Sequence, residues 1–524
     1  MTTAQQTTAQ QTTAQQTTAQ QTTPQHSPAA VLDRVADPQD VAVVGGGMAG
    51  MLAALVLARD GHRVTVYERD DTDLPETADE AFDGWDRRGA AHARQSHALL
   101  ARLRKILRER APDVLDELLA QGATELSVER ILPADITDRE PRPGDEDLVL
   151  LCCRRLTIEW VLRKAVTAEP GVVWRGGVGV AGLLADADTD RGNVPAVRGL
   201  RLEDGTTVEA DLVVVGGGRH SPVLDWIAEL GGAVQPLEEE SEAGIVYLSR
   251  FYRLREGQEL PLLTKDGAGG DLGYVAFAGF YGDNRTFSIT FGIPTGDREL
   301  MALRDEAAWE AAIRTLKPLD PWTADDLADP ITGVESMARL KNRVRRFVVD
   351  DRPVVTGLVV IGDAALATNP WYGKGCSTAG IAAEALSRAL REHGRDRVAL
   401  AHAMDTAVRT ELEPHYTLAV RQDADRIKLH AAMHDGGHPD PAAAATRDFV
   451  LNGLLPATRV DADVFRAFFR SFNMLDAPDA LFTDPKVLTA AMTAHAQKDQ
   501  RPPAPKLGPE REEFLAVMAA ASGS

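Results

Sequence analysis

The sequence predicts an α/β protein: a Rossmann-like domain interrupted by an inserted antiparallel sheet and followed by a helical C-terminal region. Three observations predict it. Val41-Ala-Val-Val-Gly45-Gly-Gly47-Met-Ala-Gly50 joins an apolar strand to a glycine turn and an amphipathic run. Val359-Val-Ile-Gly362-Asp363 repeats the strand-then-glycine pattern far along the chain. Between them, Ile245–Arg253 and Thr286–Gly292 change to the alternation of antiparallel strands with one solvated or ligand-lined face.

Taken in order, the chain opens with Thr-Thr-Ala-Gln-Gln repeated from Thr2 to Gln21. Nothing there can bury a core, so residues 1–38 are expected to be a disordered tail. The tail lacks the basic and apolar regions of a signal peptide and the arginines of a transit peptide. No stretch reaches 18 apolar residues, so no spanning helix is expected, and three cysteines with no evident disulfide pair fit a reducing cytoplasm. The 524 residues are 44% apolar, enough for two or three domains. The formal net charge of −21 argues against nucleic acid and against an anionic membrane surface as partners. Cys152, Cys153 and Cys376 are the three cysteines, and neither their spacing nor any histidine cluster suggests a metal.

Val41–Val44 reads as a strand buried on both faces. Gly45 permits the tight turn, Gly47 lets a pyrophosphate approach the backbone, and Gly50 lets the next helix pack on the strand. That helix runs from about Met48 to Arg59, and Gly61 ends it. Its N-terminus favours an anion. Val64-Thr-Val-Tyr is the second strand, and Glu68 follows, placed to accept hydrogen bonds from a ribose. A carboxylate there disfavours a 2′-phosphate, so the site suits FAD or NAD, not NADP. The late Gly362-Asp363 pair decides for FAD, which is long and needs contacts at both ends. Asp211-Leu-Val-Val-Val-Gly216-Gly-Gly218-Arg219 is a third contact segment. Gly177-Val-Gly179-Val-Ala-Gly182 also fits G-x-G-x-x-G, but no helix follows, so it is expected to be strand and hairpin. No second dinucleotide fold for NADPH is visible.

After Glu68 come an acidic loop, a basic segment from Arg87 to Leu99, and a helix to about Gln121. A helix opens near Arg155. Leu156, Trp160 and Arg163 share one of its sides, so its basic ends reach a phosphate or solvent. Strands near Val172, Val197 and Leu212 return to the cofactor domain. Helices are expected over Gly380–Leu390, through most of the chain to about Thr493, and over Glu510–Ala521. The domain division is 39–236 and 350–399 for the cofactor domain, 237–349 for the inserted substrate-binding sheet, and 400–524 for the helical region.

This order of segments, over roughly Val41–Arg391, resembles FAD-dependent monooxygenases of the para-hydroxybenzoate hydroxylase fold. The nearest subgroup is the bacterial specialised-metabolite flavoenzymes, epoxidases among them. Their R-x-G-V-P-Q-x-x-H-x-H-x-L keeps Arg87, Gly89, His97 and Leu99 here, with His92 for Gln and Gln95 for the first His. Their S-R-x-x-L-E-x-x-L-R keeps Arg155, Glu159 and Arg163. The resemblance implies an FAD site built from Gly45, Gly47, Gly50, Glu68, Arg155, Gly362, Asp363, Gly373 and Gly375. Asp363 would hold ribityl hydroxyls. Pro370 would lie by the ring, and Gly373, Lys374 and Gly375 would begin a helix facing flavin N1 and O2. Pro370, Lys374, Gly375 and His97 are the implied catalytic positions. In such enzymes reduced FAD meets O2 to form a peroxyflavin that oxygenates the substrate. Arg94, Tyr247, Arg250, Trp371 and Tyr372 are candidates to touch a small-molecule substrate. NAD(P)H is the implied electron source, directly or through a separate flavin reductase. The resemblance thus implies hydroxylation or epoxidation. A flavin reductase or dehydrogenase acting on a prenyl or polyene chain, and a non-catalytic flavin-binding protein, are the alternatives.

Overall fold

The computed structural model describes residues 34–523 apart from 91, 189–193, 262, 264–266, 436–440 and 504. The repeat segment lies outside the described residues. Residues 34–38 correct the expected tail boundary, because they pack on the body. The Val35 N–H donates to the Asp60 carbonyl at 2.8 Å, and Asp37 pairs with Arg395 at 2.7 Å.

Strand β1 (Asp40–Val44), helix α1 (Met48–Asp60) and strand β2 (Arg63–Tyr67) form the expected βαβ start. Almost every residue of α1 is buried, which is why its sequence is apolar on all sides rather than striped. Gly61 ends it at φ 109°, its N–H returning to the Ala58 carbonyl. Helix α2 (Arg155–Ala168) leads to β3 (Val172–Arg175), and β4 is Leu212–Val215. The single helix expected to Gln121 is instead two, Ala101–Arg110 and Pro112–Ala120. Pro112 explains the break: it lacks an N–H and opens the second helix at its first turn.

The inserted sheet centres on β5 (Ile245–Leu254), β6 (Ala276–Tyr281) and β7 (Thr286–Pro294), and α3 (Glu306–Ile313) lies against it. The chain returns as β8 (Leu358–Val360), then α4 (Gly375–His393), longer at its start than the expected Gly380–Leu390. Helix α5 (Glu413–Asp435) and several shorter helices follow, ending in α6 (Arg511–Ser522).

The parallel sheet has five strands in the order β8-β4-β1-β2-β3. Val41 sits opposite both Val64 and Leu212, and Leu358 opposite Val213. The first, middle and last glycine-ended strands are therefore neighbours, and their carboxyl ends open on one cleft. The expected hairpin at Gly177–Gly182 is Val180–Asp188 paired antiparallel with Val194–Leu202.

The second sheet has six strands. Its two long strands, β5 and β7, are antiparallel, with Ser249 opposite Thr290. Of the solvated or ligand-lined face expected from their alternation, the solvated form is overturned: nearly every residue of both is buried. One face packs on α3 and α6 through Leu248, Phe291, Trp309 and Phe514. The other face looks toward the cofactor domain, where Phe251 meets Phe82 at a ring separation of 5.0 Å. A smaller sheet pairs the acidic run Leu237–Glu242 with the basic run Lys341–Arg346. Glu238, Glu239 and Glu240 face Arg345, Arg346 and Arg343 across it.

Candidate functional site

The cleft begins at the β1–α1 turn. Gly45 has φ 99°, and a Cβ there would stand 2.9 Å from the Gly216 carbonyl oxygen. A Cβ on Gly50 would stand 1.9 Å from the Gly45 oxygen. The first and middle glycine segments thus interlock with no room for a side chain. Gly47, by contrast, faces open space, and no side chain caps α1. An uncapped helix start beside a glycine cradle fits a pyrophosphate. Glu68 is almost buried and accepts from the Gly46 N–H at 2.6 Å and the Asp70 N–H at 2.9 Å. A carboxylate has about four acceptor positions, so two are left for ribose hydroxyls.

Behind this turn lies an Arg–Glu–Arg cluster. Arg87 Nε donates to Glu159 Oε2 at 3.0 Å and Arg155 Nε to Glu159 Oε1 at 2.7 Å. Arg87 also donates to the Gly46 carbonyl at 2.9 Å. Burial alone would raise the fully buried Glu159 carboxyl, but Arg155 and Arg87 overcome it and hold it at about 2. Arg155 reaches on to Cys376 Sγ, at 2.8 Å, in the first turn of α4. Two helices and the glycine turn are tied together by one buried carboxylate.

At the other end, β8 runs into Gly362 at φ 60°, where a Cβ would strike the Ala49 Cβ at 2.5 Å. Asp363 follows, 3.9 Å from Arg219. Burial pushes its carboxyl up, and Arg219 and Arg155 oppose that. Pro370 opens the short turn Pro370–Tyr372, Gly373 turns it at φ 65°, and α4 starts at Gly375 with no side-chain cap. Lys374 is buried and lies over the Tyr372 ring at 5.5 Å, 3.5 Å from the His415 carbonyl. Burial pushes its ammonium down to about 8.

This loop is held from α5. Asp423, fully buried, accepts from Asn369 Nδ2, Tyr372 Oη and Asn342 Nδ2, each at 2.8 Å, and from Arg426. Asn342 returns a bond to the Asn369 N–H at 2.7 Å. Asn369 Oδ1 accepts from Tyr247 on β5, and the Tyr247 ring stacks on Trp371 at 5.7 Å. The loop is thereby fixed to the helical region and to the sheet wall at once.

A second tie joins the sheet to the segment carrying the histidines. Ser249 donates to Gln95 Oε1 at 2.7 Å and meets Thr290 at 2.8 Å, and Ser96 bonds Ser288 at 2.7 Å. This latch covers the inner sheet face that alternation alone left open. It holds His97, whose Nδ1 lies 2.8 Å from the Gln95 carbonyl, so Nδ1 carries the proton and Nε2 is an acceptor. The His92 ring lies 5.6 Å from it. Burial, reinforced by Arg155, pushes His92 down to about 3 and His97 down to about 4.

Of the substrate candidates, Tyr247, Trp371 and Tyr372 come together at the loop. Two others point elsewhere. Arg250 lies on the far face of β5, bonded to Glu306, to Glu310 at 3.0 Å and to the Thr332 carbonyl at 3.0 Å. Its neighbour two residues away on β5, Tyr252, bonds Glu310 on that same face at 2.8 Å. Arg94 donates to the Phe82 and Asp83 carbonyls, at 3.1 and 3.0 Å, at the end of the helix Ala78–Gly84. Both are corrected to structural roles, for these bonds occupy their guanidinium groups. Asp423, Asn342 and the hydroxyl latch were missed. Asp423 and Asn342 are single polar residues in unremarked segments, and the serines and threonines read as ordinary strand residues.

The class these features define is the FAD-dependent monooxygenases of the para-hydroxybenzoate hydroxylase fold. Within it, the chain belongs to the FAD-binding domain family, whose model matches residues 38–410. Kynurenine 3-monooxygenase of Salinispora arenicola is 28% identical over 427 residues, 79% of this chain and 85% of that protein. Protein Rv3254 of Mycobacterium tuberculosis is 27% identical over 470 residues, 85% of this chain and 91% of the relative. The anhydrotetracycline hydroxylase OxyS of Streptomyces rimosus matches in structure with a TM-score of 0.51 at 16% identity, over 84% of this chain and 77% of that one. The Diels-Alderase PyrE3 matches with a TM-score of 0.54 at 15% identity, over 83% and 80%. The structural matches show the fold. A hydroxylase and a Diels-Alderase share it, so chemistry is argued from the site.

Proposed function

We propose that the protein inserts one atom of O2 into an organic small molecule held beside the junction of the Asn369–Gly375 loop with β5, by hydroxylation or epoxidation, in specialised-metabolite biosynthesis. The observation that carries this reading is the direct tie between loop and wall. Tyr247 bonds Asn369 and stacks on Trp371, so any ring held at the α4 start faces a fixed aromatic surface. The kynurenine 3-monooxygenase relative favours hydroxylation of the two.

FAD, when bound, supplies the redox chemistry with O2. The chain's own residues do the rest. Gly45, Gly47, Gly50, Glu68 and Asp363 would hold the cofactor. The uncapped α4 N-terminus would stabilise negative charge on the flavin, and Lys374, its ammonium lowered to about 8, would add a cation. His97 Nε2, unprotonated at neutral pH, accepts a hydrogen bond from a hydroxyl or amine of the substrate and orients it. Pro370 and Trp371 exclude water from the loop side.

Electrons come from NAD(P)H, directly or through a separate reductase. One glycine-ended βαβ unit occurs among the described residues, and the second glycine motif is a hairpin, so a nicotinamide would bind transiently or not at all. The test is turnover under labelled O2 with NADH or NADPH, with and without a flavin reductase, on aromatic and polyene substrates. One labelled oxygen in the product is expected. Product formed without air, or labelled only from water, would replace this reading with a reductase.

A further inference from the structure

Arg163 lies on α2, four residues after Glu159. Its guanidinium sits neither in solvent nor on an acid: it lies over the Trp174 indole, 3.2 Å from the ring centroid. Trp174 is the third residue of β3, and its ring stands over the β1–α1 turn. A Cβ on Gly46 would meet Trp174 Cη2 at 2.3 Å and Glu68 Oε2 at 2.8 Å. Trp174 and Glu68 are therefore side by side at the carboxyl end of the parallel sheet. Two hydrogen-bond donors there, Arg163 Nε and Trp174 Nε1, are buried and have no acceptor. Buried donors without partners are destabilising and rare, so neither side chain is held here by hydrogen bonds of its own. Burial and Arg87 push Arg163 down to about 10, with Glu68 opposing, so the guanidinium is a poorly compensated cation.

We propose that Arg163 and Trp174 form the adenine seat of the FAD site, with the adenine ring stacked on the Arg163 guanidinium. This rests on the FAD reading. The chemistry suits an aromatic, acceptor-rich group. A guanidinium plane backed by an indole is a stacking platform for a nucleobase, whose π-face offsets the charge of the cation beneath it. Glu68 beside it takes the ribose, which fixes the order adenine, ribose, pyrophosphate along Trp174, Glu68 and Gly47. The flavin mononucleotide tail ends in a phosphate and carries no nucleobase to place there, so the pair selects the adenosine half of the cofactor.

The test measures binding rather than turnover. Apoprotein is titrated with FAD, ADP and FMN by calorimetry, for wild type, Arg163→Ala, Arg163→Lys and Trp174→Phe. Arg163→Ala is expected to weaken both FAD and ADP about tenfold and to leave FMN unchanged. Arg163→Lys, which keeps the charge and loses the plane, is expected to behave like the alanine variant. Trp174→Phe keeps an aromatic backing without the N–H and is expected to lose a few-fold. Thermal melts of the apoproteins separate binding from folding, and ADP affinity is compared only among variants that melt like wild type. If Arg163→Ala does not fold, Arg163→Lys carries the comparison. Wild type that takes up FAD while ADP and FAD affinities in the arginine variants stay within twofold would overturn this inference alone. An equal loss for FMN and FAD would overturn it in favour of a general electrostatic role. Wild type that binds no FAD would overturn the flavin reading and this inference together.

Discussion

The two ends of the cofactor cleft are fixed by buried ionic clusters of different balance, one with a surplus cation and one neutral. At the pyrophosphate end, Glu159 lies between Arg87 and Arg155, so two cations share one anion. At the ring end, Asp423 faces one cation, Arg426, and three neutral donors from Asn342, Asn369 and Tyr372. The difference teaches what each is for. The first cluster keeps a surplus positive charge that an anionic ligand offsets. The second is satisfied by the chain itself and works as scaffold, holding a loop in place whether or not a ligand is bound.

The sharpest way to break this comparison is to remove the central carboxylates. Glu159→Gln leaves Arg87 and Arg155 facing each other in a nearly dry site. Breaking a buried pair in this way costs about 3–5 kcal/mol. Because a bound pyrophosphate would offset the unpaired cations, the loss is expected to be larger in apoprotein than with FAD. Urea unfolding midpoints of both forms check this, and an equal loss in the two would detach the cluster from the cofactor.

Asp423→Asn is expected to be milder, about 1–3 kcal/mol, since the amide keeps one acceptor oxygen and misplaces one donor. Its larger effect falls on chemistry. With Asn369 and Tyr372 released, the loop loses its orientation against Tyr247 and Trp371, and O2 consumption is expected to outrun product formation. FAD affinity changes little, because the pyrophosphate end is intact. Oxygen-electrode traces set against product yield report this coupling. Unchanged coupling in a folded variant would reduce Asp423 to a packing residue.

Acid separates the ends a third way. His92 and His97 titrate near 6.5 in the unfolded chain and at about 3 and about 4 when folded. Between those values the unfolded chain binds protons that the folded one does not. Stability is therefore full above pH 6.5 and is lost as pH falls from 6.5 toward 4, at up to about 1.4 kcal/mol per pH unit for each linked proton. Glu159 acts in a lower window. Its carboxyl is depressed from 4.5 to about 2, so its contribution is present above 4.5 and lost as pH falls toward 2. Replacing His97 by Asn is expected to flatten the pH 4–6.5 limb of a denaturation profile and leave the lower limb alone.

The same division explains what the sequence made legible. The pyrophosphate end is written in short, contiguous spacings: a glycine turn, a helix and Glu68 all follow one strand. Each is enforced by close approach, as the 1.9 Å clash at Gly50 shows, so residue type alone reports it. The ring end is assembled from β5, the Lys341–Arg346 strand, the Asn369–Gly375 loop and α5. Its hub, Asp423, contacts residues 51 to 81 positions away. A lone aspartate on a long helix carries no local mark of that role. The cover of the inner face of β5 was hidden for a related reason. Alternation tells which residues share a face but not what covers it, and the cover proved to be Gln95 and Ser96 from far upstream.

The smallest effect belongs to the far side of the same strand. Arg250 is buried, but its carboxylate partners are not: Glu306 and Glu310 keep 60% and 36% of their side-chain surface exposed. In Arg250→Met, both acids can turn back to water, and the methionine chain keeps most of the apolar packing of the arginine stem. What is lost is a bond to the Thr332 carbonyl and two half-screened ion pairs, together about 0.5–1.5 kcal/mol. Cofactor affinity and coupling should not move, because Tyr247 and Ser249 occupy the opposite face of β5 and their bonds to Asn369 and Gln95 remain. A Tm drop of a few degrees with unchanged flavin content and coupling is therefore expected. Loss of coupling in Arg250→Met at wild-type FAD occupancy would mean that the two faces of the sheet are not independent, and that the reaction wall extends through β5 to α3.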